Sequence, residues 1–242
     1  MQKKPSQAVR KESARSAGQR PVQRKKKRRQ AYTRAQMIMA IALLVVLMGA
    51  FFGLGWFCGV QSTKFRGEIL IVNSENRLGA DYVPDDLVNL YQMRHSFRLA
   101  SSEIYLTREC YEAMEKMFAA AEDAEMNGYI VTSGYRDYDR QAEIFAQSEA
   151  GYAQEPGASE HQTGLAFDVT VETGSGFENT PQYSWLMENA YKYGFIQRYP
   201  ANKSHITGIS YEPWHYRYVG VDAAKKMKKN GMCLEEFLAA NS

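Results

Sequence analysis

The chain has 242 residues, with thirty Lys and Arg against twenty-seven Asp and Glu, a formal net charge of +3 and a pI near 8.6. That average joins two unlike pieces: residues 1–34 hold thirteen bases and one acid, Glu12, for +12, while the remainder holds seventeen bases and twenty-six acids, for −9. The basic pI is therefore no reason to expect nucleic-acid binding by the folded part, and 45% hydrophobic with 12% aromatic residues excludes disorder throughout.

Residues 1–36 read as a basic, disordered cytoplasmic tail, with Pro, Ser, Gln and Ala scattered before the run Arg24-Lys25-Lys26-Lys27-Arg28-Arg29. No charge then occurs between Arg34 and Lys64, and residues 37–60 are almost wholly apolar. As a helix, this segment reaches about 36 Å at roughly 1.5 Å per residue, enough to cross a hydrocarbon layer of about 30 Å. It is too long and too evenly apolar for a soluble core helix. The basic flank marks the cytoplasmic side, so the expectation is a single-pass cell-membrane protein with its C-terminal part outside. A cleaved signal peptide competes, because Val60-Gln61-Ser62 passes as a cleavage site. Its basic region would be very long and its apolar stretch exceeds the usual range of about 7 to 15 residues, which favours an uncleaved anchor. Cys58 falls in the span, and Cys110 and Cys233 are exported and free to pair if the fold brings them together. The absence of CxxC argues against a sulfur-ligated zinc finger.

Residues 61–101 form a stalk and lead-in, with Glu68–Asn73 (EILIVN) read as a short strand. Residues 102–242 are the size of one domain and carry no repeat. The clearest helix is Thr107–Met126: Thr107 caps it, Cys110, Met114, Met117, Phe118 and Ala121 recur at helical spacing, and Gly128 ends it. Tyr129–Ser133 is a strand, Gly134–Asp137 a turn and Asp139–Glu149 a second helix. A Gly/Pro-rich loop over 154–164 precedes the strand Leu165–Val171. Thr180-Pro181 starts a helix that Gly194 closes, followed by the strand Phe195–Tyr199, the strand Tyr216–Val219, and helical segments from Asp222 to Ala239 broken near Gly231. The pattern is α+β: a small, mostly antiparallel sheet with flanking helices.

Three segments break core-and-surface logic: Ser133-Gly134-Tyr135-Arg136, the decapeptide Ser159–Asp168, and Glu212-Pro213-Trp214-His215. Asp168 lies between Phe167 and Val169 in an apolar strand, where it is either an outward-facing residue or a buried carboxylate that needs a cation. His161 taken alone reads as an ordinary loop histidine. Glu212 and His215 flank Pro213, which excludes a helical HExxH site but leaves both side chains able to enter one cleft. A His/Asp/His set suits catalytic zinc with one position open to water, and an adjacent Glu212 suits a base for that water. Arg136 sits where it can meet a substrate carboxylate or oxyanion, or equally pair with Asp137 or Asp139. His95 and His205 have no comparable neighbours and read as surface residues.

Together these segments resemble the VanY-type D-alanyl-D-alanine carboxypeptidases, zinc peptidases of the group that includes lysostaphin-like enzymes and the hedgehog signalling domain. The likeness rests on SGYR with Gln141 following, on SEHQTGLAFD matching the pattern SxHxxGxAxD, and on RYPANKSHITGISYEPWHYRYVG, in order, and it covers roughly Ser102 to Ala239. It implies a zinc site in a central cleft with the ion held by His161, Asp168 and His215, Glu212 as catalytic base, Arg136 facing the substrate, and Ser159, Gln141 and Tyr135 lining its pocket. The expected function is a membrane-anchored zinc D,D-carboxypeptidase that trims the terminal D-Ala from peptidoglycan stem peptides, with the zinc ion as cofactor, no nucleic-acid partner and no obligate protein partner. The competing readings are an L,D-carboxypeptidase acting on tetrapeptide stems and a non-catalytic wall-binding domain of the same fold.

Overall fold

The computed structural model describes residues 69–148, 153–173 and 176–241. The tail 1–36 and the spanning segment 37–60 lie outside the described residues, among which no helix is long and apolar enough to cross a membrane. Residues 69–73 form no strand, contrary to the reading of EILIVN. Instead of a ladder partner, Leu70 offers its carbonyl to the Arg217 guanidinium at 2.8 Å.

The lead-in contributes to the sheets. Strand β1 (Leu87–Asn89) and β2 (Arg98–Leu99) precede β3 (Tyr105–Thr107), and β1 pairs antiparallel with β3. These strands of two or three residues carry no readable alternation, which is why the sequence did not announce them. Helix α1 (Arg108–Asp123) starts where expected, with the Thr107 hydroxyl accepting from the Cys110 N–H, and buries Cys110, Met114, Met117, Phe118 and Ala121. It stops before Met126, because Glu125 takes the left-handed conformation at φ 61° and the Met126 N–H folds back onto the Ala121 carbonyl.

Strand β4 (Tyr129–Ser133) leads through the Gly134 turn to α2 (Tyr138–Gln147), capped by Asp137, whose carboxylate accepts from the Arg140 N–H at 2.7 Å. A short 3-10 turn, Glu160–Thr163, then delivers the chain into β5 (Ala166–Val171). Gly164 ends that turn at φ 66°, and a Cβ there would sit 2.9 Å from Leu87 and 3.1 Å from Thr107, so only glycine fits. Helix α3 (Pro181–Asn189) carries its Thr180 cap and first-position proline as predicted. Strand β6 (Phe195–Tyr199), the single turn α4 (Ser204–Thr207), strand β7 (Glu212–Tyr218), α5 (Val221–Asn230) and α6 (Leu234–Ala239) complete the order. β7 begins at Glu212 rather than Tyr216, so Glu212 and His215 belong to the strand itself. Pro213 is tolerated close to its start.

The main sheet has five strands in the order β2-β4-β5-β7-β6; β2 runs parallel to β4 and the other neighbours are antiparallel. On one face Phe167, Val169, Val131, Tyr216 and Phe195 pack with Met114, Met117 and Phe118 of α1 in a single apolar cluster. Burying each such side chain contributes about 1.5–3 kcal/mol. On the other face the register sets Asp168 opposite His215, and Ser133 opposite Asp168 from the next strand. Cys110 lies in the apolar cluster and Cys233 precedes α6; both are free thiols.

Candidate functional site

The polar face is assembled by alternation. In β5, Phe167, Val169 and Val171 point to the core, which sends Asp168 to the opposite face, where its side chain is still only 16% exposed. Direct pairing of Asp168 with His215 puts both side chains on that face. The 3-10 turn brings His161 above them. His161 Nδ1 lies 2.7 Å from the Gly134 carbonyl, which can only accept, so Nδ1 carries the proton and Nε2 presents its lone pair. Nε2 faces Asp168 Oδ2 at 3.3 Å, while His215 Nδ1 lies 3.1 Å from Asp168 Oδ1.

One donor atom from each of His161, Asp168 and His215 lies within 4.8 Å of the others, the three-ligand cluster found among the described residues. The residues fit zinc. Two imidazoles and one carboxylate are donor types that zinc takes in three-ligand sites, and they converge here within ligating reach of one another.

The electrostatics follow from this crowding. Burial opposes ionisation of Asp168, yet the two histidines hold its carboxyl well below the usual range. Burial, with Arg136 adding to it, pushes His161 down to about 4, which keeps the imidazole neutral and able to ligate. His215 goes the other way: burial disfavours its charge, but the carboxylates of Asp168 and Glu160 beside it raise it to about 9. Glu212 Oε2 lies 3.8 Å from His215 Nδ1, and burial raises its pKa.

A cavity of about 190 Å³ opens over this cluster, lined among others by Arg136, Gln141, Ser159, Tyr199, Glu212 and Trp214. Arg136 makes no ion pair with Asp137 or Asp139 among the described residues; Asp137 caps α2 instead, and the charges nearest to Arg136 in effect are Asp168 and Glu212. Arg136 Nε and Gln141 Oε1 are buried without a hydrogen-bond partner, a donor and an acceptor left over at the cavity wall. Gln141 is fixed there by its Nε2, which donates to the Gln154 carbonyl at 2.7 Å. Ser159 is buried on the same wall. Tyr135 lies elsewhere: it lines an adjoining hollow of about 380 Å³ with Tyr105 and Arg140, and only Arg136 borders both spaces. His95 and His205 are exposed, as expected.

Sequence reading missed three contributors. Tyr199 and Trp214 close the cavity, and Glu160, wholly buried, sits behind His215 between Arg198 and Arg217. The available signal was an arginine in each of two apolar strands, since buried guanidiniums require a buried acid.

The chain is similar to proteins already described. A family model described as VanY, D-alanyl-D-alanine carboxypeptidase, matches residues 103–221. A D-alanyl-D-alanine carboxypeptidase of Enterococcus faecium is 38% identical over 181 residues, which take in 74% of this chain and 59% of that protein, so the match spans about three fifths of the relative's length. Among solved structures, the LdcB LD-carboxypeptidase is similar at TM-score 0.62 and 39% identity, over 70% of this chain and 84% of that one. A mutant of the vancomycin-resistance D,D-pentapeptidase VanY from the VanB-type resistance cassette, in complex with Zn(II), is similar at TM-score 0.57 and 35% identity, over 70% of this chain and 98% of the other.

Proposed function

The chain belongs to the VanY family of D-alanyl-D-alanine carboxypeptidases, and on that footing we propose that it is a membrane-anchored, extracytoplasmic zinc D,D-carboxypeptidase that removes the terminal D-Ala from peptidoglycan stem peptides. The observation that carries the reading is the convergence of His161, Asp168 and His215 beneath a cavity that also holds Glu212 and Arg136.

In this reading His161 through Nε2, Asp168 through a carboxylate oxygen and His215 through Nδ1 hold the zinc. Bound there, the ion supplies Lewis acidity and lowers the pKa of a water towards about 7. The remaining work falls to the chain. Glu212, raised by burial, takes the proton from the attacking water and returns it to the departing D-Ala nitrogen as the peptide C–N bond breaks. Arg136 offers its unpartnered Nε–H to the substrate's terminal carboxylate or to the developing oxyanion. Gln141 Oε1 accepts an amide N–H of the stem, and Ser159 and Trp214 shape the walls that orient it. The apolar span 37–60 and its basic flank support anchoring with the catalytic domain outside.

The similarity to LdcB favours one second reading, removal of D-Ala from tetrapeptide stems as an L,D-carboxypeptidase. Incubating the detergent-solubilised full chain with defined penta- and tetrapeptide muropeptides and weighing the products separates the two. Conversion of pentapeptide to tetrapeptide is the expected outcome. Conversion of tetrapeptide alone overturns it in favour of the second reading, and no conversion of either leaves a wall-binding domain.

A further inference from the structure

Behind the ligand cluster lies a second layer of charge, buried from solvent. Glu160 stands between Ser159 and His161 with no exposed side-chain surface. Its Oε1 receives Arg198 Nε at 2.8 Å and faces Arg217 Nη1 at 3.1 Å. Both guanidiniums are tied down in turn. Arg198 makes two bonds to Glu235 of α6, at 3.0 and 2.5 Å, and Arg217 donates to the carbonyls of Tyr218 at 3.1 Å and Leu70 at 2.8 Å. The carboxylate of Glu160 thus has one oxygen clamped and no freedom to rotate.

Its other oxygen, Oε2, has no hydrogen-bond partner, and neither has His215 Nε2, which faces it at 3.5 Å. A carboxylate oxygen only accepts, so the single arrangement that satisfies both atoms puts the imidazole proton on Nε2. With the Nε2 proton turned to Glu160, Nδ1, 3.1 Å from Asp168 Oδ1, is the nitrogen that gives up its proton when a metal binds. The two histidines are therefore set to present opposite nitrogens to a metal by different devices, His161 by the Gly134 carbonyl and His215 by a buried carboxylate.

We propose that Glu160 is a positioning residue, which fixes the tautomer and ring orientation of His215 so that Nδ1 is presented to the metal, and that Arg198 and Glu235 extend this support to helix α6. The inference rests on the zinc-peptidase reading. Outer carboxylates of this kind typically change metal affinity by about 10- to 100-fold when removed.

The test uses the full chain in detergent. In the unaltered protein, labelled with 15N-histidine and loaded with 113Cd, the metal should couple to Nε2 of His161 and to Nδ1 of His215, and His215 should show a slowly exchanging Nε2 proton. Coupling of cadmium to Nε2 of His215 overturns the proposal. In Glu160→Gln, chelator competition should show zinc binding weakened by about 10- to 100-fold, with the His215 Nε2 proton signal lost or shifted and that of His161 Nδ1 retained. Zinc affinity equal to that of the unaltered protein overturns it. Should Glu160→Gln fail to fold because two arginines lose their acid, the cadmium spectrum of the unaltered protein decides alone. Failure of the unaltered protein to bind either metal overturns the functional reading, and this proposal with it, and is distinct from metal bound through the other nitrogen.

Discussion

The two faces of the five-stranded sheet bury comparable side chains by opposite means. The face under α1 is closed by Met114, Met117, Phe118, Phe167, Val169 and Tyr216, with Phe118 and Phe167 ring centroids 6.0 Å apart. Its cohesion is non-directional, proportional to area, and tolerant of volume-conserving exchange. The opposite face buries Glu160, His161, Arg198, His215 and Arg217, each exposed by 4% or less. There cohesion depends on every charge keeping its partner, because an unpaired buried charge costs several kcal/mol. The contrast explains why the proposed site sits where it does: an apolar layer holds the strand register, and the register delivers Asp168 opposite His215.

Glu212→Ala gives the largest separation of the two faces. Removing the base should lower kcat on a pentapeptide muropeptide by about 10²- to 10⁴-fold, while bound zinc, measured by elemental analysis, stays near one per chain and the urea midpoint hardly moves. Retained turnover would remove Glu212 from the mechanism. Phe118→Ala should do the reverse. A fully buried ring that touches Phe97, Tyr129 and Phe167 leaves a cavity costing about 3–5 kcal/mol of stability, read from denaturant unfolding of the described domain's signal. At temperatures where the variant remains folded, its zinc affinity should match that of the unaltered chain. A loss of affinity without loss of stability would show that the faces are not separable in this way.

The faces also differ in how far they were legible. The core face was readable because α1 repeats its apolar residues at helical spacing and β5 alternates, two periods that need no knowledge of distant residues. On the polar face, Asp168 stayed ambiguous: alternation turns it away from the core, and only the pairing of β5 with β7 shows that the surface it meets is a site and not solvent. His161 and His215 came out of their place beside acids in polar, Gly/Pro-shaped segments and then of motif resemblance, not of periodicity. Glu160 did not come out at all, since its partners Arg198 and Arg217 lie far along the chain on β6 and β7 and nothing local marks it as buried. The short strands β1 to β3 were missed for a related reason, their pairing being supplied by tertiary neighbours.

The smallest effect tests the coupling of charges on the polar face. In the proposed mechanism Glu212 acts as a base only when ionised; its pKa is raised by burial, with Asp168 and Glu160 adding to the rise while His215 and Arg136 oppose it. A raised value places the acidic limb of the kcat/KM profile above that of an ordinary glutamate, so activity falls away at a higher pH on acidification. Arg136→Ala removes the opposing guanidinium, so the residual activity should show its acidic limb displaced to still higher pH. Arg136→Lys keeps the charge and should return the limb towards its original position, even where the lost fork geometry keeps kcat/KM low. Met117→Leu, a volume-conserving exchange in the apolar layer, should leave the limb in place. Measured over pH on a pentapeptide muropeptide, a limb that moves to lower pH in Arg136→Ala would show that Arg136 does not hold the charge of Glu212, and would restrict its part to binding the substrate carboxylate.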